Sequence, residues 1–160
     1  AYSAAKFAVK GFSEALVVDL RLHAPHVKVA VVIPGHIGNS IMINSGMVLG
    51  RKPALEMPAD EIAVLRKRLA RRGLPVESMT DEQMRTTMHF IAERFRGEAP
   101  MTAAQAATVI LDGVRADRWR ILVGDDAHAL DRAVRESPET AYEASFLQEL
   151  QRQGHLPWTT

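Results

Sequence analysis

The sequence predicts an α/β fold, and three features of its 160 residues predict it. A strong helical pattern opens the chain. An almost wholly apolar, β-branched run, Val27–Ile33, follows and ends in Pro34-Gly35. A second helix-then-strand unit stands at 101–124. Helices alternating with apolar strands are the signature of a parallel sheet with helices packed on it.

The opening helix is read from Ala5, Ala8, Val9, Phe12, Leu16 and Leu20, which recur at steps of three and four. Gly11 weakens it slightly, and Pro25 closes it. The run from Val27 to Ile33 suits a strand covered on both faces. Its Pro34-Gly35 ending falls at the carboxyl edge of the sheet, where ligands of open α/β sheets bind. Residues 40–100 are long for a connection and should carry helices of their own. Ile41, Met42, Ile43, Met47, Val48 and Leu49 form either a helix turn packed on the core or a mobile lid. Pro58-Ala59-Asp60-Glu61 starts a helix with Ile62, Leu65 and Leu69 on one face, ended by Gly73. Its other face carries Arg66, Lys67, Arg68, Arg71 and Arg72, which reads as a solvated face, since no aromatic residues interleave with it. Thr80-Asp81-Glu82-Gln83 is a capping box, followed by Met84, Met88, Ile91 and Phe95 as a packing stripe. His89 lies beside that stripe and receives no role. Thr102-Ala103-Ala104-Gln105 is a second capping box, with Ala106, Val109, Ile110 and Val114 as the buried face. Trp119–Gly124 reads as a short strand. The tail is helical, with Leu130, Ala133 and Val134 on one face and Tyr142, Phe146 and Leu150 on another. His128 and His155 read as surface residues.

Tyr2 and Lys6 carry the chemistry. Four apart on a helix, they share one face, one turn from each other. An unperturbed phenol titrates near ~10, and a neighbouring cation lowers that value. A Tyr tuned in this way can give or take a proton on a substrate oxygen. Two residue types at fixed spacing recur by chance, as a surface Tyr beside a solvated Lys; the residues that follow Lys6 give the pair its meaning.

Those residues are the run Tyr2-Ser3-Ala4-Ala5-Lys6-Phe7-Ala8, the helix through Leu20, and the strand ending in Pro34-Gly35-His36-Ile37-Gly38-Asn39-Ser40. In order and spacing the chain resembles the second half of a short-chain dehydrogenase/reductase. The resemblance covers the first 40 residues in detail and 101–124 more loosely. It implies the carboxyl-terminal half of a Rossmann-like doubly wound parallel sheet, with 1–160 as one partial domain and 40–100 as a long helical lid over the substrate within it. It implies that Tyr2 is the general acid/base at the carbonyl or hydroxyl carbon. Lys6 would bind the nicotinamide ribose hydroxyls and lower the pKa of Tyr2. Pro34, Gly35, His36 and Ile37 would border the nicotinamide and its carboxamide, and His36, Met42 and Met47 the substrate. Asn39 stands where the family usually has Thr, and Ser40 could take over its contact. The cofactor is NAD or NADP, and the substrate an alcohol or ketone, with the Met-rich lid leaning toward a lipophilic one. The family's habit of packing this helix against a neighbouring subunit implies a homo-oligomer, dimer or tetramer.

The Gly-rich turn that cradles a pyrophosphate does not occur in these residues; the ten glycines are scattered. In the resembled enzymes that turn, the Asn-Ala-Gly element and the catalytic Ser lie upstream of the Tyr. The segment alone is therefore expected to be inactive, and the alternative reading is a non-catalytic fragment or interaction module derived from such an enzyme.

Composition narrows the field. The chain is 47% hydrophobic and 24% charged, ordinary for a globular domain. A formal net charge of +1 supplies no field for nucleic acid or anionic membranes. Zero cysteines exclude disulfides and thiolate metal sites and fit a reducing cytosol, so the expected location is cytoplasmic. No apolar run approaches ~18 residues, so no membrane span is expected. Asp125, Asp126 and His128 lie close together in the sequence, but they read as the cap of the following helix rather than a metal site.

Overall fold

The computed structural model describes residues 2–154 and divides into two compact units, 1–37 with 100–160 and 38–99. The chain is α/β, mostly helical, with a small parallel sheet.

The first unit opens with α1 (Tyr2–His23), which packs on β1 (Val31–Pro34). β1 pairs in parallel with β4 (Arg120–Val123), Val31 opposite Arg120 and Pro34 opposite Val123. β2 (Ile37–Gly38) pairs with β3 (Met101–Thr102). β3 leads directly into α5 (Ala103–Arg115), and α6 (Asp125–Glu136) and α7 (Ala144–Arg152) complete the unit. α5 and α6 both pack on β4. The core is Ile37, Ala106, Ile121 and Val123, with Val32, Met101, Val109 and Ile110 against it. Gly113 lets α5 close on the sheet: a Cβ there would stand 2.7 Å from Ile121 Cδ1.

The second unit holds α2 (Ile41–Val48), a 3₁₀ turn at Ala54–Glu56, α3 (Ala59–Ala70) and α4 (Asp81–Gly97). Its core is Ile62, Leu65, Val76 and Met84, lined by Met57, Leu69, Met79 and Met88. Arg66 ties α3 to the start of α4 by donating to Asp81 Oδ1 at 2.6 Å and to the Met79 carbonyl at 3.1 Å. Arg85 donates to the Met57 carbonyl at 2.8 Å. The basic side of α3 is otherwise exposed.

Both capping boxes form as the sequence predicts, each with reciprocal side-chain and backbone bonds, Thr80 with Gln83 and Thr102 with Gln105. Several expectations are corrected. The strand predicted from Val27 begins only at Val31. Lys28 is exposed and reaches to Asp117 at 3.1 Å instead of entering a ladder. β1 is also not buried throughout: Val31 is buried, Val32 and Ile33 are half-buried and Pro34 is exposed, and among the described residues β4 is the strand that pairs with it. The apolar stripe of α1 is packed only in its second half, where Val17 is buried and Leu16 and Leu20 are half-buried, whereas Ala5, Ala8, Val9 and Phe12 are exposed. On α4, Ala92 is buried in place of Ile91, and on α5, Gly113 in place of Val114. In both helices the packed stripe drifts by one position, because 3.6 residues per turn fits neither a strict three nor a strict four. α2 is a helix, but none of its residues is buried. Tyr142 is exposed, while Leu150 of α7 is buried.

An ion pair fastens α6 to β4. Arg120 Nη1 donates to Asp131 Oδ2 at 3.0 Å, Arg120 Nη2 donates to Asp131 Oδ1, and Arg135 joins from the next turn at 3.1 Å. The Arg120 hydrogen bonds, helped by Arg135, hold the Asp131 carboxyl below its usual range. A depressed native pKa stabilises the fold above the unfolded value, and the gain is lost as pH falls through the native one. Asp131→Asn is therefore expected to cost about 1–2 kcal/mol at neutral pH. Urea midpoints measured from neutral to acid pH should show the gap between variant and wild type closing as Asp131 takes up its proton.

Candidate active site

β1 and β4 run in parallel and stop together, so their carboxyl ends form one edge. The last ladder bond is Gly35 N–H to the Val123 carbonyl at 2.9 Å. Beyond it β1 turns through His36, while β4 passes through Gly124 into α6. Gly124 has φ +100°, a conformation that favours glycine.

Asp126, in the first turn of α6, is 7% exposed and reaches across this edge. Its Oδ2 accepts from the His36 backbone N–H at 2.6 Å, and its Oδ1 accepts from Ala127 N–H at 2.9 Å. The carboxyl group lies over the Cα of Gly35, and a Cβ on Gly35 would overlap it. Gly35 has no left-handed φ, so close approach, not backbone freedom, requires a glycine there. The His36 side chain is buried at 6% exposure and does not point to solvent. Ile37 is buried in the core and Pro34 is exposed.

Tyr2 and Lys6 lie one turn apart on α1, with Lys6 Nζ 5.4 Å from the centre of the Tyr2 ring, within cation–π range. Both are exposed, Tyr2 at 75%. They stand at the end of α1 opposite the 24–30 connection to β1, and the Pro34–Ile37 turn stands at the end of β1 opposite that same connection.

In the second unit, Asn39 Oδ1 accepts from Ile41 N–H at 2.9 Å, a local turn that starts α2. That bond uses the amide oxygen and leaves the NH₂ to donate elsewhere. Ser40 is the residue that precedes α2 and makes no side-chain cap. Met42 and Met47 are both exposed on α2. Asp125 and His128 are exposed at the start of α6, and no group of three or more metal-ligating side chains exists among the described residues. His155 lies outside the described residues. No helix among them is long and apolar enough to cross a membrane.

The residue that sequence reasoning passed over is Asp126. Asp125, Asp126 and His128 read as a cap of the following helix; α6 does start at Asp125, but Gly124 is its N-cap residue and no side chain caps it. Nothing local reports that the second carboxyl reaches a turn 90 positions earlier.

The chain is distantly similar to the putative oxidoreductase SadH of Mycobacterium tuberculosis, in the sequences of two strains. Identity is 29% over 131 residues, which make up 82% of this chain. The match spans 35% of the relative's own length. No protein-family model and no solved structure matches the chain.

Proposed function

We propose that this chain supplies the acid/base helix and the nicotinamide edge of an NAD- or NADP-dependent oxidoreductase of the short-chain dehydrogenase/reductase type, interconverting an alcohol and a carbonyl compound. The observation that carries the reading is the Tyr2–Lys6 pair on one accessible face of α1, a helix packed on a parallel strand that ends in Pro34-Gly35. The distant similarity to an oxidoreductase supports the same class of chemistry. The doubly wound sheet belongs to the proposal, with β1 and β4 as two of its strands.

The residues fit such a cofactor. The Tyr2 hydroxyl and the Lys6 ammonium are solvent-accessible. Gly35 lies at the carboxyl end of β1, with the Asp126 carboxyl over its Cα. When bound, the nicotinamide accepts or gives the hydride. Tyr2 gives a proton to the carbonyl oxygen in reduction and takes it from the hydroxyl in oxidation. Lys6 donates to ribose hydroxyls and keeps a positive charge beside the phenol. Pro34, Gly35, His36 and Ile37 would border the nicotinamide, and Asn39 would supply an amide for the carboxamide.

Met42 and Met47 are assigned to substrate contact. Of the seven methionines, four line the core of the second unit and Met101 packs in that of the first, which leaves these two accessible. They favour a lipophilic substrate, since thioether side chains adapt to apolar shapes. Association of α1 with a second copy, as a dimer or tetramer, belongs to the same proposal and is supported by exposed Phe7 and Phe12.

Lys6→Ala in the full-length protein tests the reading. The Kd for NADH or NADPH, followed by fluorescence of the dihydronicotinamide, should rise roughly tenfold or more, the loss expected for hydrogen bonds to a charged group. An unchanged Kd would remove Lys6 from the cofactor site.

A further inference from the structure

We propose that Asp126 is a positioning residue, which holds the Pro34–Ile37 turn in the shape that meets the nicotinamide. The inference rests on the function proposed above and adds a residue to it. Three observations converge on Asp126. The ladder between β1 and β4 ends at Gly35 N–H, and His36 N–H, the next donor along the chain, is received by Asp126 Oδ2 at 2.6 Å. The carboxyl is itself fixed, because Oδ1 accepts from Ala127 N–H at 2.9 Å in the first turn of α6. The amino end of a helix favours an acidic group. Finally, the absence of a side chain at Gly35 lets the carboxyl lie over the turn. Asp126 and His36 are both buried, so water competes little for the bond.

The consequence is mechanical. With ladder bonds on one side and the carboxyl on the other, the turn has little freedom to move. A displacement of about 1 Å at such a floor can cost a hundredfold in turnover without touching a reacting group. Asp126 thereby acts through the backbone of Gly35 and His36, not on substrate or cofactor.

The test compares the full-length wild type with Asp126→Asn and Asp126→Ala. Asn keeps one accepting oxygen in nearly the same shape, and Ala keeps none. Two readouts are taken on folded protein: the hydrogen-exchange rate of the His36 amide, and the Kd for NAD and NADP. The expected order in both is wild type, then Asn, then Ala, with faster exchange at His36 and a Kd raised roughly tenfold or more in the Ala variant. If Ala does not fold, the Asn variant carries the comparison, with a smaller change of the same sign. Unchanged exchange at His36 overturns the clamp. Faster exchange with an unchanged Kd makes Asp126 a structural residue only and overturns the positioning role. A wild type that binds neither NAD nor NADP overturns the proposed function, and the positioning role with it. The exchange data then still decide whether the clamp exists, so the two failures are distinguishable.

Discussion

Tyr2→Phe in the full-length protein is expected to lower kcat by roughly 10²–10⁴ while leaving the fold intact. Phe keeps the ring and its contact with Lys6 and removes only the hydroxyl. Tyr2 is three-quarters exposed, so the change buries no polar atom and opens no cavity. Its stability cost should stay within about 0.5 kcal/mol, as for ordinary surface substitutions. Thermal unfolding and steady-state kinetics on the same sample separate the two effects. A collapse of turnover with an unchanged Tm assigns the proton step to Tyr2. Unchanged turnover removes it from the mechanism.

Gly35→Ala is expected to act oppositely, on structure first. The new methyl would overlap the Asp126 carboxyl, and neither partner can easily yield. Gly35 is held by the Val123 carbonyl, and Asp126 by Ala127 in the first turn of a helix that packs on β4. Overpacking of this kind typically costs about 1–3 kcal/mol, and losing the buried bond to His36 would place the total near the upper end. Chemical denaturation measures it directly. The double variant Gly35→Ala with Asp126→Ala should be less unstable than the sum of its parts, since removing the carboxyl makes room for the methyl. Additive losses would show that the two residues do not meet.

The parts of the fold that were legible in the sequence are those written locally. Both capping boxes form because Ser/Thr and Gln three residues apart complete each other's bonds within one turn. The helices α3, α4, α5 and α6 and the strand β4 also follow from local periodicity and punctuation. What was not legible depends on distant partners. Val27 and Val29 have strand composition, but no strand pairs with them among the described residues, so β1 starts later. Phe12 continues the apolar stripe of α1, yet packing reaches only its second half, so Phe12 is 70% exposed. In the candidate site the same division holds. The Tyr2–Lys6 pairing follows from helical spacing alone, and the structure places Lys6 over the ring. The Asp126 clamp joins two segments 90 positions apart, and its only trace in the sequence is a Gly and a pair of Asp that serve equally well as a helix start. Gly35 shows the limit clearly: it reads as a turn residue, but its backbone is ordinary and a carboxyl group is what excludes a side chain.

The proposed reaction is hydride exchange at a nicotinamide served by Tyr2 and Lys6. The most direct measurement incubates the full-length wild type with NAD or NADP and a panel of secondary alcohols of increasing apolar size. Reduced nicotinamide is followed by absorbance and the carbonyl product by mass. Reduced cofactor and carbonyl product are expected in equal amounts with at least one of the two cofactors, with the rate rising toward the more lipophilic alcohols. No reduced cofactor with either one across the panel, from a folded full-length protein, would contradict the proposed reaction.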